Sequence, residues 1–312
     1  MKMRVAFLLG VLAALVPTTA SAKTYETSFQ LTQLTPSRVW AETSFIPDAQ
    51  ATPPGKVQRL RLGSRTFVGT WIPAAASALS TSEALTRTNE NSAVMADRAL
   101  TSRERRRFQV LVDLYHDADV LVVAAGHPAC AGLTRAQARS IATGGITRWS
   151  AVVAGASPDT IKVRYPTDLS GEPVPHLGAK WVKARAFKHR LTYAPRAVGA
   201  RDGGVSAAAS GDQAIAAITT WAKVRSGRSD ICVVPLSGVA PTDATVAGLD
   251  YPEAFPVSYV VLRRPPRLDA VERARMTLMR RVMAKFLKSE KLKDMLRRQN
   301  LLVTGDPPPA SV

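Results

Sequence analysis

Residues Asp119 to Val153 restrict the fold more than any other part of the chain. Val120 to Ala125 is an unbroken apolar run rich in β-branched residues, as expected of a strand buried on both faces. Gly126-His127-Pro128 ends it, because proline cannot donate to a ladder and restricts the residue before it. Thr134 then stands as a helix N-cap with Gln137 three residues on as its capping-box partner. The helix is expected to reach about Thr143 and to stop at Gly144-Gly145, where glycine can take the left-handed conformation. Ile146 and Trp149 would pin a short return segment to the core.

The order of strand, Pro-broken crossover, capped helix, Gly-Gly stop and Trp resembles the central signature of phosphate-binding-type periplasmic solute receptors. These are the binding-protein components of ABC importers. The matching positions are Leu133-Thr134, Gln137, Ile141, Gly144, Ile146 and Trp149. The resemblance runs in order from about Leu60 to Val303 and is strongest at 119–153 and 281–303. It implies an α/β, two-lobed periplasmic-binding-protein-like fold, with a mixed sheet in each lobe and two crossover strands near Ala125 and Leu236. Lobe 1 would comprise 60–125 and 237–304, and lobe 2 would comprise 126–236. An N-terminal arm at 23–59 precedes them, with one strand near Tyr25–Leu34, and a disordered tail at 305–312 follows.

Lys2 and Arg4 precede an apolar run from Val5 to Val16, and Ala20-Ser21-Ala22 is an A-x-A cleavage site. Residues 1–22 therefore read as a secretory signal peptide, which makes the mature chain periplasmic or secreted, starting at Lys23. Removing Lys2 and Arg4 takes the formal net charge from +18 to +16. Such a surplus favours acidic partners, or is a general surface feature of a basic secreted protein. In an oxidising compartment the two cysteines, Cys130 and Cys232, could form a disulfide; the alternative is two buried free thiols.

Candidate ligand groups lie in loops after strand-like runs. Gly63-Ser64-Arg65-Thr66 follows a short strand at Leu60–Leu62, and a helix is expected from about Thr70 to Leu79. A helix N-terminus behind a Gly-Ser loop makes an anion cradle, although a Gly-Ser pair is also an ordinary turn. The resemblance puts Ser64, Arg65 and Thr66 on the family's ligand loop. It puts Asp97, after a strand ending near Met95, on the family's ligand carboxylate. An ionised carboxylate only accepts, so it takes a hydrogen bond from a protonated oxyanion and repels one without a proton. The other reading of Asp97 is a local pair with Arg98. Arg164, Ser170 and Gly171 match the family's Arg and Ser-Gly turn, but Glu172 stands where the family has Thr. The family's second Gly-Ser-Gly ligand loop is missing.

The remaining segments complete the pattern. Thr101 or Ser102 caps a basic helix carrying Arg103, Arg105, Arg106 and Arg107, read as a solvated face or a polyanion contact. The stretch 177–200, with Trp181, Phe187 and Tyr193 among basic residues, reads as helix core with a wet face rather than a nucleic-acid platform. Gly211 to Thr220 is expected to be helical, and Asp230 to Leu236 and Tyr251 to Arg264 to be strands. A terminal helix breaks near Ser289.

The four histidines show no metal-ligand spacing, and no nucleophile turn or phosphate-binding glycine loop occurs. Neither an enzyme nor a bound cofactor or metal is expected. The expected role is an extracytoplasmic receptor binding a small oxyanion such as phosphate for an ABC permease in the inner membrane, as a monomer with no nucleic-acid partner. The alternative is a binding protein for anionic envelope polymers, on the same scaffold with a degenerate ligand site.

Overall fold

The computed structural model describes residues 24–35, 57–62, 65–77, 85–86, 92–167, 180–183, 189–263 and, with interruptions, 273–306. For 24–35, 57–62, 65–77, 180–183 and 189–192 only the backbone is described. The expected signal peptide and its cleavage site, Ser64, Ser170, Gly171, Glu172 and residues 307–312 lie outside the described residues.

In chain order the elements are β1 (Thr24–Thr35), β2 (Val57–Leu62), β3 (Arg65–Ser77), β4 (Ser92–Ala96), α1 (Ser102–Arg107) and β5 (Phe108–Ala124). They continue with α2 (Arg135–Thr143), β6 (Lys162–Pro166), β7 (Lys180–Lys183), β8 (His189–Thr192), β9 (Val198–Ala200), α3 (Val205–Ala209) and β10 (Ile215–Thr220). The last are α4 (Trp221–Val224), β11 (Ile231–Val233), α5 (Asp243–Ala247), β12 (Ala254–Leu262), α6 (Glu290–Arg298) and β13 (Leu302–Val303). Eleven strands form one mixed sheet along the path β2-β3-β1-β4-β12-β5-β10-β6-β9, with β11 and β13 also paired to β5. The hairpin β7–β8 stands apart.

β5 joins the two halves of the sheet. Its first part, Phe108 to Ala118, pairs antiparallel with β12. Its last residues pair with β10 and β11, and every side chain from Asp117 to Ala124 is buried. Each half has its own core. One surrounds Leu121, Ile141, Trp149, Ile218 and Leu236. The other gathers Met95, Tyr115, Tyr259, Leu292 and Leu296.

The stretch after β5 follows its sequence closely. His127, Pro128 and Cys130 make a 3₁₀ turn, and Cys130 is bridged to Cys232 of β11, with Cα atoms 6.0 Å apart. Thr134 Oγ1 accepts the Gln137 N–H at 3.1 Å, while Gln137 Oε1 accepts the Thr134 N–H at 2.8 Å. α2 buries Ala138, Ile141 and Ala142 and ends at Gly144, whose φ is 81°. Trp149 is fully buried beyond it.

Three helical expectations fail. The stretch expected as a helix from Thr70 lies in β3, where β-branched and aromatic residues (Val68, Thr70, Trp71, Ile72) favour a strand. Pro73 falls beyond the end of β2, where β3 keeps only β1 as a neighbour. Ile215–Thr220, expected as helix, is the fully buried strand β10 between β5 and β6. Alanine favours helix locally, but pairing on both edges overrides it. The helix precedes it instead, as α3. Within 177–200 the helix is replaced by β7 and β8, with Trp181 opposite Leu191.

Thr134→Ala should cost about 1 kcal/mol in urea unfolding and Thr134→Ser much less, since serine keeps the cap oxygen.

Candidate functional site

Asp97 and Arg164 lie on opposite sides of the β5 crossover. β4 runs antiparallel to β12, with Ala96 opposite Ser258, which in turn faces Asp113 of β5. Asp97 therefore leaves the end of β4 that points toward the crossover, and its side chain is half-buried. Arg164 sits on β6 in register with Ala217 of β10 and Val198 of β9. β4 and β6 are four strand positions apart, roughly 19 Å along the hydrogen-bonding direction.

Local contacts explain what each residue is held by. Arg98 is held chiefly by Glu104, its two terminal nitrogens reaching Oε2 at 2.8 Å and Oε1 at 2.7 Å, with the Asp97 charge a smaller contribution. Glu104 also accepts the Thr101 N–H and hydroxyl. The Arg98 hydrogen bonds, with those from Thr101, hold the Glu104 carboxyl down at about 2 despite partial burial. The Arg164 guanidinium makes no hydrogen bond or ion pair among the described residues. Its stem lies against the turn Asp202-Gly203-Gly204. A Cβ on Gly204 would come within 2.1 Å of Arg164 Cβ, and one on Gly203 within 2.0 Å of the Ile218 carbonyl oxygen. Only glycine admits this close approach at positive φ. Burial opposes ionisation of Asp202. The Ser206 hydroxyl and the N–H groups of Ser206 and Gly204 outweigh it and keep the carboxyl below its ordinary range. The first N–H groups of α3 are thus taken by the chain's own carboxylate. Asp202, Gly203 and Gly204 were not singled out from the sequence; an Asp-Gly-Gly step before a small-residue stretch is their signal.

Arg65 and Thr66 begin β3, where Leu62 faces Arg65 and Arg61 faces Thr66 in an antiparallel hairpin. No helix follows them, so the expected anion cradle lacks its helix N-terminus. The described residues hold no group of three or more His, Cys, Asp and Glu that could bind a metal ion. No helix among them is long and apolar enough to cross a membrane.

At the crossover Glu253 is buried and clamps α2 to the start of β12. It accepts Arg135 Nε and Arg139 Nε at 2.6 Å on one oxygen and an Arg139 terminal nitrogen at 2.9 Å on the other. Its own carbonyl accepts the Asp119 N–H. Nearby, His127 is buried against Trp149, with ring centroids 4.6 Å apart. Its Nδ1 accepts the Ala129 N–H at 3.0 Å, which leaves the neutral-ring proton on Nε2. Burial lowers its pKa, with the Gln213 backbone opposing.

No family model matches the chain, and no curated protein matches it in sequence. Solved structures do match in fold. An ABC-type phosphate transport receptor from Vibrio cholerae superposes with a TM-score of 0.54 at 15% identity, over 88% of this chain and 99% of that one. PstS from Borrelia burgdorferi superposes with a TM-score of 0.53 at 11% identity, over 89% of this chain and 98% of that one. The chain therefore has the mixed α/β fold of periplasmic binding proteins.

Two pH windows follow. Glu104 has a depressed pKa, so its contribution is complete above the unfolded value near 4.5 and disappears as pH falls toward about 2. Glu104→Gln should lose about 1–2 kcal/mol at neutral pH, after allowance for solvent screening, and nothing near pH 2. Thermal melts across pH read this directly. The lowered His127 pKa means the unfolded state takes the proton first, so stability falls as pH drops below the ordinary value of 6.5. His127→Asn keeps a capping oxygen without a titrating ring, and its stability should decline less steeply than wild type between pH 6.5 and about 5.

Proposed function

We propose that the chain is an extracytoplasmic solute-binding protein that holds a small oxyanion, phosphate first, between two lobes and delivers it to an ABC permease. The lobes are 60–125 with 237–304, and 126–236; the mature monomer begins at Lys23 in the periplasm. The observation that carries the reading is the pair Asp97 and Arg164. One is a carboxylate at the crossover end of β4, and the other a guanidinium with no hydrogen bond or ion pair among the described residues, on β6 across the shared strand. Arg164 offers a planar fork to an oxyanion. Asp97 accepts the proton that phosphate retains at neutral pH and sulfate lacks, which gives discrimination by repulsion. Ser170 and Gly171, a few residues beyond β6, would add a hydroxyl and a close backbone approach. Arg65 and Thr66 are left out, because they begin a strand with no helix N-terminus behind them. The shared fold supports the reading as far as architecture goes, and no further.

A thermal-shift titration at fixed ionic strength tests it. Phosphate at about 100 times its dissociation constant should stabilise the chain by about 2.7 kcal/mol. Sulfate should not. Asp97→Ala and Arg164→Ala should each weaken the phosphate shift. A chain that responds to neither anion is not an oxyanion receptor.

A further inference from the structure

Helix α1 buries none of its residues. Its capping box, the Arg98–Glu104 fork and its continuity with β5 hold it in place. Arg103, Arg105, Arg106 and Arg107 are all exposed on it, and Arg263 at the end of β12 lies beside them, its N–H donating to the Arg107 carbonyl. None of these five arginines forms an ion pair among the described residues. Several other arginines are matched: Arg135 and Arg139 with Glu253, Arg225 with Asp243, Arg228 with Asp230, Arg297 with Asp306. Neighbouring guanidiniums repel one another, and of the five only Arg107 has a ring contact among the described residues, over Phe108 at 5.5 Å from the ring centroid.

A groove of about 320 Å³ opens between α1 and the β5–β12 pair. Arg98, Arg105 and Arg263 flank it, and Val110, Leu249 and Pro256 contribute apolar surface. Val110 and Leu249 are 45% and 42% exposed, two of the three large exposed apolar residues among those described. The one carboxylate that lines the groove, Asp113, accepts the Ser258 hydroxyl at 2.6 Å.

We propose that this groove and the α1 arginines form a docking surface for an acidic segment of a partner protein that carries apolar side chains between its carboxylates. The guanidiniums match carboxylates as bidentate forks. The apolar floor gives such a segment something that a sulfated polymer or a lipid headgroup layer does not use. The α1 arginines and Val110 are not among the residues assigned to the oxyanion.

The test measures binding of a short labelled peptide of Asp and Glu interrupted by Leu and Phe, by fluorescence anisotropy on the mature chain. The same peptide with Ser in place of Leu and Phe, a heparin fragment, and vesicles containing phosphatidylserine are measured beside it. Arg103→Glu/Arg105→Glu/Arg106→Glu should weaken the apolar-acidic peptide by at least about tenfold and sharpen no other affinity. Arg103→Lys/Arg105→Lys/Arg106→Lys should retain part of the binding, since charge remains but the fork is lost. Val110→Ser should weaken it a few-fold, and the serine peptide should bind less well to wild type. The phosphate response should be unchanged in all three variants, which separates this surface from the oxyanion site. Equal binding of the serine peptide, heparin or vesicles with no effect of Val110→Ser would make the patch a general polyanion or membrane face and overturn the proposal. Absence of peptide binding would also overturn it.

Discussion

Burial of one strand on both faces and both edges organises this molecule. From Asp117 to Ala124 no side chain of β5 reaches solvent. A backbone so enclosed must find partners for its N–H and C=O groups within the protein. β12 supplies them along the first part of β5, with β13 on its other edge at Tyr115 and His116, and β10 and β11 supply them beyond Asp119. Strands from distant parts of the sequence are thereby drawn to one place. Two cores can then form on a common spine rather than as unrelated units.

The crossover is fastened by polar as well as apolar contacts. Glu253 binds two guanidiniums from α2 and sits where β12 meets the last residues of β5. A buried carboxylate is costly unless it is paired and hydrogen-bonded, and here both oxygens are engaged. The Cys130–Cys232 bridge adds a covalent tie between the turn after β5 and β11. Motion between the halves would have to occur around these fixed points, with Asp97 and Arg164 carried on either side.

Electrostatics divide the surface. Acidic residues are outnumbered by basic ones, and several of those described, Glu253, Asp243 and Asp306 among them, are held by arginines. Four exposed arginines without ion pairs among the described residues stand together on α1, a helix that buries none of its residues. Arg164 is different in kind, a single guanidinium over a Gly-Gly turn at a strand end. The first is the proposed docking surface, and the second the proposed oxyanion group.

The stretch after β5 was legible because its information is local. A capping box, a left-handed glycine and a buried Trp each depend on residues a few positions apart, and Thr134, Gly144 and Trp149 stand where their chemistry calls for them. The α1 cap, expected at Thr101 or Ser102 and found at Thr101, and the helix break near Ser289 were readable for the same reason. β10 was not, because Ile215-Ala216-Ala217-Ile218 suits a helix as well as a strand until β5 and β6 occupy its edges. The same holds for β3, whose partner β1 lies some forty residues upstream. The family resemblance read in the sequence named Asp97 and Arg164 as candidates, together with Ser64, Arg65, Thr66, Ser170 and Gly171. The placement of Asp97 and Arg164 across a shared strand, and the Gly203-Gly204 turn against Arg164, came from pairing between segments far apart in the chain. Side-chain periodicity reports which face of a segment is buried, but not which segment buries it.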